Sequence, residues 1–148
     1  MKTRLLISML LMAIVSVASA QEYKVITTVE SIIPAGIGRS RMISPIQEVD
    51  TDQFTTERTN GKKGGAQGDV RRKDLKIDNF EETKMLNFFS VTGINFQNIA
   101  SNDAMISGKL TAMAEEGWEL AFVTSGVESD SGVDDGQGIY VTRYVFKR

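Results

Sequence analysis

Lys109–Val123 reads KLTAMAEEGWELAFV and Ile139–Arg148 reads IYVTRYVFKR, and these two stretches decide the fold. Just upstream, Ser101-Asn102-Asp103 offers side-chain oxygens able to accept from the free N–H groups of a first helical turn. Ile106, Leu110 and Met113 then recur at helical spacing as one apolar stripe, and Gly117 stands where a left-handed residue closes a helix. The spacing predicts a helix from about Asp103 to Glu116. Beyond the glycine the period falls to two: Trp118, Leu120 and Phe122 share one face, Ala121 and Val123 the other. Trp118–Thr124 and Ile139–Lys147, both rich in aromatic and β-branched residues, are expected as strands. The polar, acidic connection between them predicts an antiparallel hairpin.

Toward the N-terminus, Glu22–Ile33 reads EYKVITTVESII. Tyr23, Val25, Thr27 and Val29 alternate with Lys24, Ile26, Thr28 and Glu30, so a third strand is expected, ended by Pro34. A turn-rich stretch with Gly36 and Gly38 follows. Gln47–Lys73 is polar and glycine-rich, with only Val49, Phe54 and Val70 able to pack. It cannot bury enough surface to offset its ordering entropy, which predicts a long mobile loop. Leu75–Ile99 is apolar again. Its aromatic and β-branched content favours one or two further strands, while Met85, Phe88, Phe89 and Thr92 also fit a helical spacing, so residues 78–92 stay open between the two. The expectation is one α+β domain over residues 21–148: a small antiparallel sheet with one main helix packed on one face, in the order strand, long insertion, helix, strand, strand. Its expected core is Val25, Ile106, Leu110, Met113, Trp118, Leu120, Phe122, Val141 and Val145.

The first 20 residues have the layout of a cleavable secretory signal. Lys2 and Arg4 precede an apolar run from Leu5 to Val17, and Ala18-Ser19-Ala20 supplies the small side chains that signal peptidase accepts. A membrane span needs about 20 apolar residues, more than this run offers. An exported protein, periplasmic or extracellular, is expected, with no transmembrane segment after cleavage.

Cleavage removes two bases and no acid, leaving 15 basic and 19 acidic residues. That balance argues against general nucleic-acid binding, which needs a basic surface to displace counterions. The chain has no Cys, so oxidising surroundings add no disulfide and stability must come from packing. With no His either, Ser-His-Asp and Cys-His catalysis and zinc sites built on imidazole or thiolate are excluded.

The stretch from Lys109 to Arg148 resembles the small bacterial domain of unknown function family numbered 4177. The residues that carry the likeness are Tyr23-Lys24-Val25-Ile26 for its opening strand, Glu116-Gly117-Trp118-Glu119-Leu120 for its helix-to-strand motif, and Tyr144–Arg148 for its closing strand. The chain also looks similar to exported Bacteroidota proteins of unknown role. The resemblance implies a strand-helix-strand-strand unit and no activity, and the long segment between the first strand and the helix departs from it.

Three constellations are candidates for chemistry. Gly36-Ile37-Gly38-Arg39-Ser40-Arg41 sets Arg39 and Arg41 beside a glycine turn, where a backbone nest and two guanidinium groups suit a small anion. The simpler reading is a basic surface turn. Glu128, Asp130, Asp134 and Asp135 offer oxygen ligands of the kind Ca²⁺ takes, without EF-hand spacing. Glu115, Glu116 and Glu119 flank the Gly117-Trp118 junction, but the first two are adjacent and point apart, a poor arrangement for paired acid–base work. The sequence therefore points to a non-catalytic domain without a cofactor, binding a partner protein or envelope component, with an anion-binding module as the alternative and a carboxylate enzyme behind it.

Overall fold

A computed structural model of the chain describes residues 20–33, 40–58, 61, 70–128 and 138–148. Among these, the elements follow in the order β1 (Tyr23–Ser31), β2 (Arg41–Pro45), a 3-10 turn (Thr51–Phe54), β3 (Phe80–Lys84), β4 (Phe89–Ser90), β5 (Gly93–Ile94), α1 (Phe96–Glu115), β6 (Glu119–Val127) and β7 (Ile139–Lys147). Five strands form one antiparallel sheet in the order β3-β2-β1-β7-β6, and β4 and β5 pair as a separate ribbon. The α+β architecture with one main helix is thus as the sequence led one to expect, and so is the hairpin of β6 and β7. The expected signal segment, except Ala20, lies outside the described residues.

Helix α1 begins seven residues before the expected Asp103. Its cap is Asn95, whose side chain accepts from the N–H of Asn98, so the helix absorbs Phe96–Asn102. Its end is as expected and is a Schellman motif. Gly117 sits at φ +85°, its N–H donates to Ala114 C=O, and the Trp118 N–H donates to Met113 C=O, both at 3.0 Å. Part of Leu75–Ile99 does extend the sheet, as β3, and β4 and β5 form the ribbon beside it, but residues from Phe96 onward are helical. Strand β2 falls where the sequence suggested only turns. Its alternation is visible in burial, with Met42 and Ser44 inside.

The fully buried apolar side chains are Ile26, Met42, Met85, Met113 and Phe146, with Met105, Ile106, Leu110, Trp118 and Tyr144 packed against them. Four of the nine expected core residues, Ile106, Leu110, Met113 and Trp118, belong to this cluster. Val25, Leu120 and Phe122 are exposed, and Val141 and Val145 are half-buried outside it. Leu120 pairs with Phe146 on the helix side but stands on the edge strand; for the other four the reason is the register. Val25 pairs with Val145 and Val29 with Val141, while Ile26 pairs with Tyr144 and Lys24 with Phe146. The two sets occupy opposite faces, and α1 packs on the set containing Ile26, Tyr144 and Phe146. The ring of Phe146 removes more apolar area from water than the valines opposite.

Asn102 fastens the helix to its surroundings. It is fully buried, its Oδ1 accepts from Leu86 N–H, and its Nδ2 donates to Leu86 C=O and to Glu30 Oε1, each at 2.9 Å. At the other end of the sheet, Arg148 lies 4.4 Å above the Trp118 ring and Lys24 5.8 Å from it. Arg148 also pairs with Glu22, and the two residues exchange backbone hydrogen bonds at 3.0 Å. The tryptophan of the helix-to-strand junction is thus a plate held between Lys24 at the start of β1 and Arg148 just after β7.

Candidate binding surface

The middle of the sheet face turned away from α1 carries three cross-strand rows. Phe122, Val145 and Val25 form the first; Thr124, Arg143, Thr27, Ile43 and Glu82 the second; Gly126, Val141, Val29, Arg41 and Lys84 the third. The helix-side face carries Thr28, Ser44, Ser125 and Thr142 among its residues, by the same register. That same face carries the buried Ile26, Met42 and Phe146, while Val25, Val29, Val141, Val145, Ile43 and Phe122 lie on the side that α1 leaves uncovered. Phe122 keeps 56% of its surface exposed and Val25 37%.

Arg143 is the charged centre of this face, on β7, between Thr124 and Thr27. It is exposed and makes no ion pair with any described residue. Beside it opens a shallow depression of about 380 Å³ lined by Gly126, Val127, Glu128, Ile139, Val141 and Arg143. A guanidinium flanked by valines and threonine hydroxyls suits a carboxylate carried on an apolar surface. Sequence reasoning passed over Arg143. The one available signal was a single charge inside the otherwise uncharged IYVTRYVF.

Of the two arginines singled out for anion binding, Arg39 lies outside the described residues. Arg41 opens β2 on the uncovered face. It forms an ion pair with Glu82 and donates from its Nη1 to the Ser40 carbonyl at 2.7 Å. Its guanidinium is thus already engaged by an acid, in place of the free fork that the anion reading needs. Asp130, Asp134 and Asp135, the candidate Ca²⁺ ligands, also lie outside the described residues. Glu128 is exposed where β6 ends, its N–H donating to Ile139 C=O at 2.9 Å. Among the described residues no three acids gather as metal ligands. Glu119 pairs with Lys147 at 3.3 Å, and Glu115 and Glu116 sit exposed at the helix end.

Among the described residues, the two groups with displaced acidities lie on the helix side. Burial pushes the Glu30 carboxyl up; the hydrogen bond from Asn102 opposes this and the charge of Asp103 adds to it. Burial likewise raises the Tyr144 hydroxyl, with the Glu30 and Asp103 charges adding. Neither faces the uncovered surface. Among the described residues, no helix is long and apolar enough to cross a membrane. Set against protein-family models, curated proteins and solved structures, the chain matches none.

Proposed function

We propose that the protein is an exported, non-catalytic binding domain whose uncovered sheet face holds a partner protein or an envelope component. The carrying observation is the apolar surface left on the uncovered face, Phe122, Val145 and Val25 in one row with Val29, Val141 and Ile43 beside it and Arg143 between them. Contiguous exposed apolar surface on a small domain marks a place of contact. Arg143 at its centre selects a partner presenting an acidic group within an apolar patch. Export is supported by the apolar run Leu5–Val17 and by Ala18-Ser19-Ala20.

A photoactivatable residue in place of Val25, in the cell that makes the protein, tests the reading. It is expected to give one discrete adduct, which Arg143→Glu abolishes, while the same residue at exposed Leu75, outside the sheet, gives none. If Val25 yields no discrete adduct, or yields one indifferent to Arg143→Glu, the reading fails.

A further inference from the structure

The two edges of the sheet differ in chemistry. One is β3, five residues reading FEETK, with Glu81, Glu82 and Lys84 along it. Charges on a short edge strand discourage another chain from adding to it. The other is β6, nine residues reading ELAFVTSGV, every one of them exposed and charged only at its first position. It carries large apolar side chains on both faces: Leu120, Val123 and Val127 on the helix side, Phe122 on the other. No described residue pairs with its outer edge. The bulge between Leu120 and Phe122 interrupts regular pairing at the start of the strand and leaves Phe122–Val127 as an uninterrupted, uncharged edge.

We infer that β6 is the seam of a homodimer, in which the β6 strands of two copies pair antiparallel about a two-fold axis at Thr124 and join two five-stranded sheets into one of ten. A two-fold perpendicular to the sheet keeps each side chain on its own face, so opposite residues must share a face. An axis at Thr124 meets that condition. Phe122 of one copy stands opposite Gly126 of the other, twice by symmetry; Val123 stands opposite Ser125; Thr124 meets itself. The Phe122–Gly126 and Thr124–Thr124 pairs are favourable. A Cβ built at Gly126 would meet nothing within 4 Å, so there is open space for the opposing Phe122 ring. Threonines directly opposite one another are a stabilising cross-strand pair. No charge falls opposite a like charge within the paired stretch Phe122–Gly126, because it contains none. A stable interface removes roughly 800 Å² from each partner. The backbone ladder alone covers less, but β6 adds exposed apolar groups on both faces, with Leu120 at 40%, Val123 at 49% and Val127 at 59% exposure. The seam is at an edge of the sheet, where it takes up Phe122 and Gly126 from the margin of the proposed face and leaves Val25 and Arg143 uncovered by the ladder.

The absence of Cys in the chain gives a clean test. Thr124→Cys introduces one thiol, and strands paired about that position bring the two Cα atoms to about 4.5–5.5 Å, within disulfide range. Mild oxidation of Thr124→Cys is expected to give a covalent dimer rapidly, whereas Thr83→Cys on the charged edge does not. Light scattering should report a dimer for the unmodified chain and a monomer for Val123→Lys, with circular dichroism unchanged. If Val123→Lys fails to fold, the oxidation result decides alone. A monomer at every concentration, equal cross-linking at both edges, or a dimer that survives Val123→Lys would each overturn the seam. None of these outcomes alters what Val25 captures, so failure here is distinguishable from failure of the face.

Discussion

Asn102 and Glu30 illustrate how one buried polar contact sets a pH dependence. Asn102 stands on the stripe of α1 that faces the core, satisfied by both backbone groups of Leu86 and by the Glu30 carboxylate. Glu30 is the strained member, its acidity displaced upward from the ordinary glutamate value of 4.5 chiefly by burial. A folded-state value above the unfolded one means that the fold holds the proton more tightly. Stability from this group is fully present below 4.5 and is lost as pH climbs through the raised value. Glu30→Gln keeps an acceptor for Asn102 and removes the charge. The variant is expected to be modestly more stable than the parent at neutral pH, with the difference vanishing in acid. Urea unfolding from acid to neutral pH checks this, and an equal or less stable variant at neutral pH would contradict it.

At the scale of elements, α1 and the turn that closes it each hold a glycine, and replacing the two should have opposite signs. Gly108 lies in the helix interior, and a Cβ there meets nothing within 4 Å. Gly108→Ala removes backbone freedom only the unfolded chain enjoys, and is expected to stabilise by about 0.5–1 kcal/mol. Gly117 sits at φ +85° in the Schellman turn, where a side chain is strained although there is room for it. Gly117→Ala is expected to destabilise by about 1–2 kcal/mol. Thermal unfolding of both variants reads the contrast, and shifts of the same sign would refute it. The end of α1 was legible in the sequence because a glycine after an apolar stripe has few other uses. Its start was not, because Asn95 and the Ser101-Asn102-Asp103 group offer the same capping chemistry, and only packing put Asn102 on the inner face. Strand β2 escaped for a related reason: RMISP is short, and burial of Met42 and Ser44 appears only once β1 and β3 flank it.

Across the whole molecule, β2 and β3 are antiparallel neighbours separated by a long segment whose base is pinned by its own ends. The N–H groups of Ile46 and Gln47 donate to Asn79 C=O at 3.2 and 3.3 Å, and Gln47 Oε1 accepts from Asp78 N–H at 3.3 Å. Closing a loop on such a base costs entropy that grows only logarithmically with its length. Replacing residues 51–69 with a short Gly-Ser linker is therefore expected to leave the melting temperature nearly unchanged, half-buried Phe54 being the largest apolar group among the described residues removed. Failure of that protein to fold would place the segment in the core.

The sequence by itself determined the class of fold, the β6–β7 hairpin, the apolar stripe of α1 and its glycine stop, because each is written in local spacing. It also excluded thiol and imidazole chemistry by composition alone. Tertiary structure decided which face of the sheet is covered. Along β1 the residue expected in the core was Val25, and yet Ile26 and Thr28 are inside. Strand period names two faces without choosing between them. The choice came from long-range pairing with β7, which aligned Ile26 with Tyr144 and Lys24 with Phe146, and from the helix packing over the bulkier of the two sets. That choice left Val25, Phe122 and Arg143 on the opposite face, so the proposed binding surface could be read only after the sheet was assembled.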